Sequence, residues 1–212
     1  MQKPARYTGG ELNSITKSWD ENKLRIAIAF PDVYELGMSN LAIQILYGLL
    51  NEQADVLCER VFAPWPDMEE QLRLHKIPLF SLESRKPLGE FNAIGFSLNY
   101  ELNYTNVLNM LDLAGIPLKS ADRGPEHPLI FGGGHAAFNP EPLAEFIDFY
   151  VIGEAEEVMI NIVETLQCNV STAIDKQNIL KSLSAIEGIY VPSIGNKYKR
   201  RIVADLDKPI SL

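Results

Sequence analysis

Apolar and polar positions along this chain follow two periods in turn, one typical of strands and one typical of helices. Runs such as LRIAIAF at 24–30 are almost wholly apolar, as strands covered on both faces of a parallel sheet are. The longer segments between such runs place apolar residues three or four positions apart, which is typical of amphipathic helices. The strands predicted in this way are 24–30, 55–63, 92–98, 128–133 and 148–153. This alternation predicts βαβ units and an open, five-stranded parallel sheet, an α/β fold.

The same pattern predicts how the chain is divided. Residues 24–168 contain the five strands and follow an N-terminal extension at 1–23. After 168 a helical pattern precedes two short strand candidates, so we expect 169–204 to pack on the main domain as a small α/β appendage. Residues 205–212 look like the start of a linker.

Composition and charge limit the classes of function. Of 212 residues, 46% are hydrophobic and 22% are charged, as in ordinary globular proteins. No apolar run approaches the roughly 20 residues of a membrane helix, and the first residues do not look like a signal peptide. We therefore expect a cytoplasmic protein without a membrane partner. The net charge of −9 argues against a nucleic-acid surface, and we interpret KYKRR at 197–201 as a solvated strand.

Cysteine usage excludes several metal sites. The chain has two cysteines, Cys58 and Cys168, far apart and outside any CxxC or CxxxCxxC motif. An iron–sulfur cluster needs three or four thiolates, so we expect no cluster and no metal ligands within this chain.

The carboxyl ends of the predicted strands carry the candidate binding site. An open parallel sheet binds ligands beyond these ends, where the strand order reverses. The loops there are rich in Gly, Asn, Asp and Glu, and lie at 31–40, 99–104, 133–142 and 153–158. The run Gly132–Gly134 would let a large ligand lie against the backbone, or would serve a turn that needs positive φ. His135 is the histidine at this edge, and no nucleophile or carboxylate pair predicts a catalytic residue.

Familiar nucleotide and hydrolase motifs are absent. The loop after the first strand, PDVYELG, has one glycine rather than GxGxxG, and no GxxxxGK[ST] occurs. A flavodoxin-type phosphate loop would be rich in Ser and Thr, but this loop offers Ser39 alone. Ser97 is followed by Leu98 and Asn99, so it does not form a GxSxG elbow.

Several longer stretches carry a resemblance to a known family. They are KPARYTGGE, FPDVYELGMSN, VFAPWPDME, IPLFSLES, IGFSLNYELNYTNVLNMLDLAGIP and GGGHAAFNPEPLAEFIDFYVIGEAEE. With these the chain resembles the N-terminal, cobalamin-binding-type domain of radical S-adenosylmethionine (radical SAM) proteins, which are Fe–S oxidoreductases. The resemblance implies a flavodoxin-like, Rossmann-like doubly wound sheet and cobalamin as the cofactor. It also implies a downstream barrel that holds the [4Fe–4S] cluster and S-adenosylmethionine. In that case this chain stops ahead of the barrel.

The resemblance also implies a set of binding residues. Cobalamin domains carry DxHxxG, SxL and GG after successive strands, and this chain matches them except that Tyr34 replaces the histidine and Asn99 the leucine. A phenol is a poor substitute for the imidazole that ligates cobalt from below. The expected cofactor-binding residues are Asp32, Tyr34, Glu35, Gly37, Ser97, Asn99, Gly132, Gly133, Gly134, His135, Asn139, Gly153 and Glu154.

The resemblance leaves two functions open. In the first, the domain presents cobalamin to its own downstream barrel in a radical SAM enzyme, and is not an enzyme by itself. In the second, it is a degenerate flavodoxin-like module that recognises a substrate or partner and binds no corrinoid. A free-standing nucleotide- or flavin-binding protein is a weaker third alternative.

Overall fold

A computed structural model describes residues 2–20, 23–170 and 175–203. Their strands are β1 (Leu24–Phe30), β2 (Val56–Phe62), β3 (Ala93–Ser97), β4 (Leu129–Gly133), β5 (Phe149–Val151) and β6 (Ile189–Tyr190). Their α-helices are α1 (Tyr34–Met38), α2 (Leu41–Glu52), α3 (Pro66–His75), α4 (Tyr104–Leu113), α5 (Glu156–Val170) and α6 (Lys176–Leu183). Within the described ranges, no helix has the length and apolar character to cross a membrane.

The strands form one sheet in the order β2-β1-β3-β4-β5-β6. The first five are parallel, and β6 pairs antiparallel with β5. The predicted flavodoxin-like α/β fold is therefore confirmed, and β6 adds a sixth strand at the edge. Because the order reverses between β1 and β3, the carboxyl ends of these strands mark the switch point where such folds bind ligands.

Alternate residues of each strand face two separate layers. Along β1, Ile26 and Ile28 belong to one apolar cluster together with residues of α2 and α5. Ala27 and Ala29 point the other way and belong to a second cluster with residues of α3 and α4. The sheet is thus covered on both faces, which is why its strands are apolar throughout.

The segment expected to form an appendage shares the main core. Leu180 and Leu183 of α6 and Ile189 of β6 belong to the same buried cluster as β1. The second predicted strand in this segment is a single bridge, in which Arg201 pairs with Gly153. The boundaries between domains stay a prediction, and the predicted linker at 205–212 lies outside the described residues.

The N-terminal segment, residues 2–20, lies against β2, α2 and the loop after β1. The ammonium group of Lys17 donates to three backbone carbonyls at the end of α2 and the start of β2, at 2.6–2.8 Å. The backbone N–H of Ile15 donates to the Tyr47 hydroxyl at 2.7 Å. These bonds hold the segment on the domain although it contains no strand and no α-helix.

Candidate functional site

Small side chains on one face of the sheet create a cavity at its carboxyl edge. The face of β3 toward α2 and α5 carries Ala93, Gly95 and Ser97, whereas its opposite face carries Ile94 and Phe96. The neighbouring strand β4 ends on the same face with Gly133. Since these positions have few side-chain atoms, the layer beneath α2 and α5 is not filled near the strand ends.

The cavity has a volume of about 380 Å³, within the usual range of small-molecule sites. Its floor is the sheet, its walls are α2 and the start of α5, and its rim comes from the loops after β3, β4 and β5. The apolar lining is Ile28, Ala42, Ile45, Leu46, Phe96, Phe131, Phe138, Val151, Ala155 and Met159. Polar and charged residues stand at the rim: Ser97, Asn99, His135, Glu154, Glu156 and Arg200.

The three consecutive glycines have three different environments. A Cβ on Gly133 would face the cavity and meet nothing nearer than Val151 at 3.6 Å. A Cβ on Gly132 would face the other layer, 2.8 Å from the Leu98 side chain. Gly134 has a φ of 103°, and its Cβ would lie 2.7 Å from the Leu98 carbonyl oxygen. The fold therefore requires glycine at 134 and favours it at 132, whereas the fold alone leaves room for a side chain at 133.

The structure brings about half of the predicted binding residues together. Seven of them line the cavity: Ser97, Asn99, Gly133, Gly134, His135, Gly153 and Glu154. Six do not: Asp32, Tyr34, Glu35, Gly37, Gly132 and Asn139. Ser97 and Asn99 lie side by side at the rim, with Oγ and Oδ1 3.5 Å apart.

The loop after β1 is occupied by contacts within the protein. The Tyr34 hydroxyl donates to Glu11 of the N-terminal segment at 2.9 Å, and the Tyr34 ring packs edge-on against Phe62. Gly37 is buried, and a Cβ there would lie 2.2 Å from the Phe62 ring. Asp32 accepts a hydrogen bond of 2.8 Å from the Tyr100 hydroxyl. Each of these residues thus has a structural role that needs no ligand.

Two ionisable groups of this loop have shifted pKa values. Burial, together with the hydrogen bond to Glu11, raises the pKa of Tyr34 to about 12. The Arg6 guanidinium donates to the exposed carboxylate of Glu35 at 2.9 Å and lowers its pKa to about 2. At neutral pH Tyr34 is therefore a neutral hydroxyl that donates its proton to a carboxylate, which does not suit a metal ligand.

Besides the apolar lining, three residues of the cavity, Gly95, Glu156 and Arg200, were not among the predicted binding residues. Gly95 interrupts a buried strand, and the Phe131 ring lies where its Cβ would be, at 2.3 Å. A lone glycine inside a strand is a known sign of close approach, so this signal was present in the sequence. Glu156 lies in the loop at 153–158 that the sequence places at the site, but the residue itself reads as an ordinary first-turn glutamate of a helix. Arg200 gave no signal, because KYKRR reads as a solvated strand.

A second cleft, of about 550 Å³, lies at the amino-terminal end of the sheet. Its charged groups already have partners within the described residues. Arg25 donates to Asn92 at 3.2 Å, Lys176 pairs with Asp148 at 2.8 Å, and Glu126 lies 3.2 Å from His127. We therefore place the candidate site in the smaller cavity, which lies at the switch point and carries Arg200, a residue that forms no ion pair with the described part of the chain.

Across the described ranges, no group of three or more His, Cys, Asp or Glu side chains is placed to hold a metal ion. The rim of the cavity is suited to hydrogen bonding, and its interior is suited to an apolar or aromatic group. This arrangement suits an organic ligand that has both an apolar and a polar part.

Two comparisons with known proteins each gave a match. The family described as radical SAM proteins, N-terminal, matches residues 42–192, well over half of the chain. An uncharacterized protein of Methanocaldococcus jannaschii is 26% identical over 141 residues, which are 65% of this chain and 26% of that relative. The chain thus spans about a quarter of the relative's length. By the family match, this chain belongs to the N-terminal domains of radical SAM proteins.

Proposed function

We propose that this N-terminal domain of a radical SAM protein holds cobalamin, with the nucleotide tail of the cofactor inserted into the cavity between the sheet, α2 and α5. The observation that carries the proposal is the space in front of Gly133. An apolar cavity beside a buried strand end is costly to leave unfilled, because its lining lacks packing partners. A ligand that inserts an aromatic base would supply them.

The residues present fit the tail of the cofactor. Phe131 and Val151 offer apolar contact to a base, and Gly133 leaves room for it. Ser97 and Asn99 at the rim offer a hydroxyl and an amide to the polar part of the tail. When bound, cobalamin supplies a cobalt centre that can carry an organic group. The work of this chain is then to bind and orient the cofactor and to exclude water from its tail.

The residues present do not fit a histidine-ligated cobalt. Tyr34 stands where the resemblance expects the ligand, but its hydroxyl is bonded to Glu11 and its ring packs on Phe62. We therefore propose that position 34 gives cobalt no ligand. His135 is the one imidazole among the described residues that line the cavity.

The family match supports a proposal for the remainder of the protein. Radical SAM proteins use a [4Fe–4S] cluster and S-adenosylmethionine, and the two cysteines of this chain are too few and too far apart to hold the cluster. We propose that a downstream barrel of the same protein carries both and is the main partner of this domain. The net charge of −9 supports a domain without nucleic-acid contacts.

The test is tail-dependent corrinoid binding. The purified chain is dialysed against hydroxocobalamin and, separately, against cobinamide, which has the corrin ring but no nucleotide tail. We expect retention of hydroxocobalamin with a changed visible spectrum, and at least tenfold weaker retention of cobinamide. A folded chain that retains neither would overturn the proposal and favour the degenerate module. Equal retention of both would show that the tail does not use the cavity.

A further inference from the structure

We infer that Arg200 is an anion-binding residue of the cavity and that it recognises a phosphodiester, a group with a single negative charge. This inference rests on the proposed function in one respect only, since the nucleotide tail of cobalamin is the phosphodiester that it would bind. The chemistry that carries it applies to any ligand with an aromatic base and such a group.

The first step is that residues 200–203, here called the C-terminal strap, are held firmly at the rim. The backbone N–H of Arg201 donates to Ile152 at 2.9 Å, and the backbone N–H of Glu154 donates to Arg201 at 3.2 Å. The Glu154 carboxylate accepts a hydrogen bond from the Val203 backbone N–H. The side chain of Arg201 pairs with Glu157 at 2.6 Å.

Two glycines make room for the strap. A Cβ on Gly153 would lie 2.2 Å from the Arg201 carbonyl oxygen, and a Cβ on Gly188 would lie 2.9 Å from the Arg201 Cβ. Both glycines also have positive φ, at 115° and 91°. Gly153, expected from the sequence to contact a cofactor, thus has another task, which is to admit the strap. The position of Arg200 is therefore built into the fold.

The second step is that Arg200 differs from the arginine beside it. Arg201 has a carboxylate partner, whereas within the described residues no carboxylate lies within 4.0 Å of the Arg200 guanidinium. Instead its guanidinium lies over the exposed Phe138 ring, with its central carbon 5.1 Å from the ring centroid, and it lines the cavity. A guanidinium held over a ring by its charge keeps N–H donors free, and these can bind two oxygens of a phosphate.

The third step concerns the charge of the ligand. Two carboxylates, those of Glu154 and Glu156, line the same cavity as Arg200. The formal charges of these three side chains therefore do not sum to a positive value. Like charges repel a group with several negative charges more strongly than a group with one. A phosphodiester presents one negative charge with two free oxygens, which suits a single guanidinium. Free nucleoside diphosphates and triphosphates do not suit this rim.

The experiment uses two small probes and three variants of the whole chain. The probes are the detached nucleotide tail of cobalamin as its methyl phosphodiester, and the same nucleoside without phosphate. Arg200→Ala should weaken binding of the phosphodiester about 10- to 100-fold and change binding of the nucleoside less than about twofold. Arg200→Lys should retain part of the difference, because an ammonium keeps the charge and loses the paired geometry.

Lys199→Ala is the matched control. It removes the same charge from the adjacent residue, whose side chain is 83% exposed and whose ammonium pairs with Glu187 at 3.2 Å. This variant should bind both probes as the parent does. A loss equal to that of Arg200→Ala would show a general charge effect and overturn the inference. The inference would also be overturned if Arg200→Ala lost affinity equally for both probes, or if the parent bound neither probe.

The outcomes separate this inference from the proposed function. Arg200-dependent binding of the phosphodiester by a chain that rejects hydroxocobalamin would sustain the inference and overturn the cobalamin proposal. Tail-dependent binding of hydroxocobalamin that is unchanged in Arg200→Ala would sustain the cobalamin proposal and overturn the inference about Arg200.

Discussion

The carboxyl edge of the sheet has two halves of opposite character. Above β1 and β2 the N-terminal segment covers the loop at 31–37, and Phe62 fills the space in front of Gly37. Above β3, β4 and β5 no segment of the described residues fills the space in front of Gly133. Both loops carry glycine and polar residues, so composition does not tell them apart. The difference teaches that a glycine leaves room for a ligand only where its neighbours leave the space open.

The covered half depends on a buried ion pair, and breaking it gives the largest stability change that we predict. Arg60 and Glu83 are paired at 2.7 Å, with side chains 5% and 3% exposed. Arg60→Ala leaves the buried carboxyl of Glu83 without its charged partner, with the backbone N–H of residue 60 still donating to it, and should reduce the free energy of unfolding by about 3 to 5 kcal/mol in urea titrations. Burial already raises the pKa of Glu83, so the reduction should be smaller at pH 5 than at pH 8.

The matched control for Arg60→Ala is Arg60→Met combined with Glu83→Leu, which removes both charges and keeps most of the volume. It should recover most of the lost stability, since the cost comes from the unpaired charge and not from the missing attraction. The Arg60 guanidinium also lies over the Tyr47 ring, with its central carbon 4.4 Å from the ring centroid. If the double variant were as unstable as Arg60→Ala, this contact would be the main contribution of Arg60 to stability.

The second prediction compares two adjacent glycines in the open half. Gly134→Ala should lower the free energy of unfolding by about 2 kcal/mol, because its φ of 103° is strained for any residue with a side chain. Gly133→Ala should change it by less than about 1 kcal/mol, since its Cβ would make only ordinary contacts. Chemical denaturation of both variants measures the difference. Equal losses would mean that Gly133 also serves the turn, which would weaken the case for a ligand.

The smallest predicted effect concerns Tyr34. Tyr34→Phe should cost about 1 kcal/mol at neutral pH, because it removes the hydrogen bond to Glu11. The folded protein raises the pKa of Tyr34 from 10.0 to about 12, so this contribution is complete below pH 10 and is lost as the pH rises towards 12. Parent and variant should thus converge in stability in alkaline solution. A constant difference from pH 8 to pH 12 would contradict the bond to Glu11.

The sequence predicted the architecture better than the site. Apolar runs and helical periods were enough for the five parallel strands and for the edge where their carboxyl ends meet. Alternation along β4 implies that Gly132 and Gly133 face opposite layers, but not which layer is open. That depends on Val151 of β5 and on Leu98, which directly follows β3.

Two further features could not have been predicted from local patterns. The N-terminal segment has no apolar periodicity, so nothing in it indicates that Glu11 would cover Tyr34. Arg200 reaches the cavity because Gly153 and Gly188 admit the strap, a contact between residues far apart in the chain. Charge and composition alone made Arg200 look like part of a solvated strand.

The most direct test of the central claim is the affinity of Gly133→Val for hydroxocobalamin, followed by visible spectroscopy at equilibrium. Gly89→Val is the control, because a Cβ at Gly89 meets nothing within 4 Å, a Cβ at Gly133 meets only Val151 at ordinary contact distance, and Gly89 lies at the other end of the sheet. We predict that Gly133→Val loses at least 100-fold in affinity while both variants unfold close to the parent's midpoint. Parent-like affinity in Gly133→Val, with the fold intact, would contradict the claim that this cavity holds the cofactor.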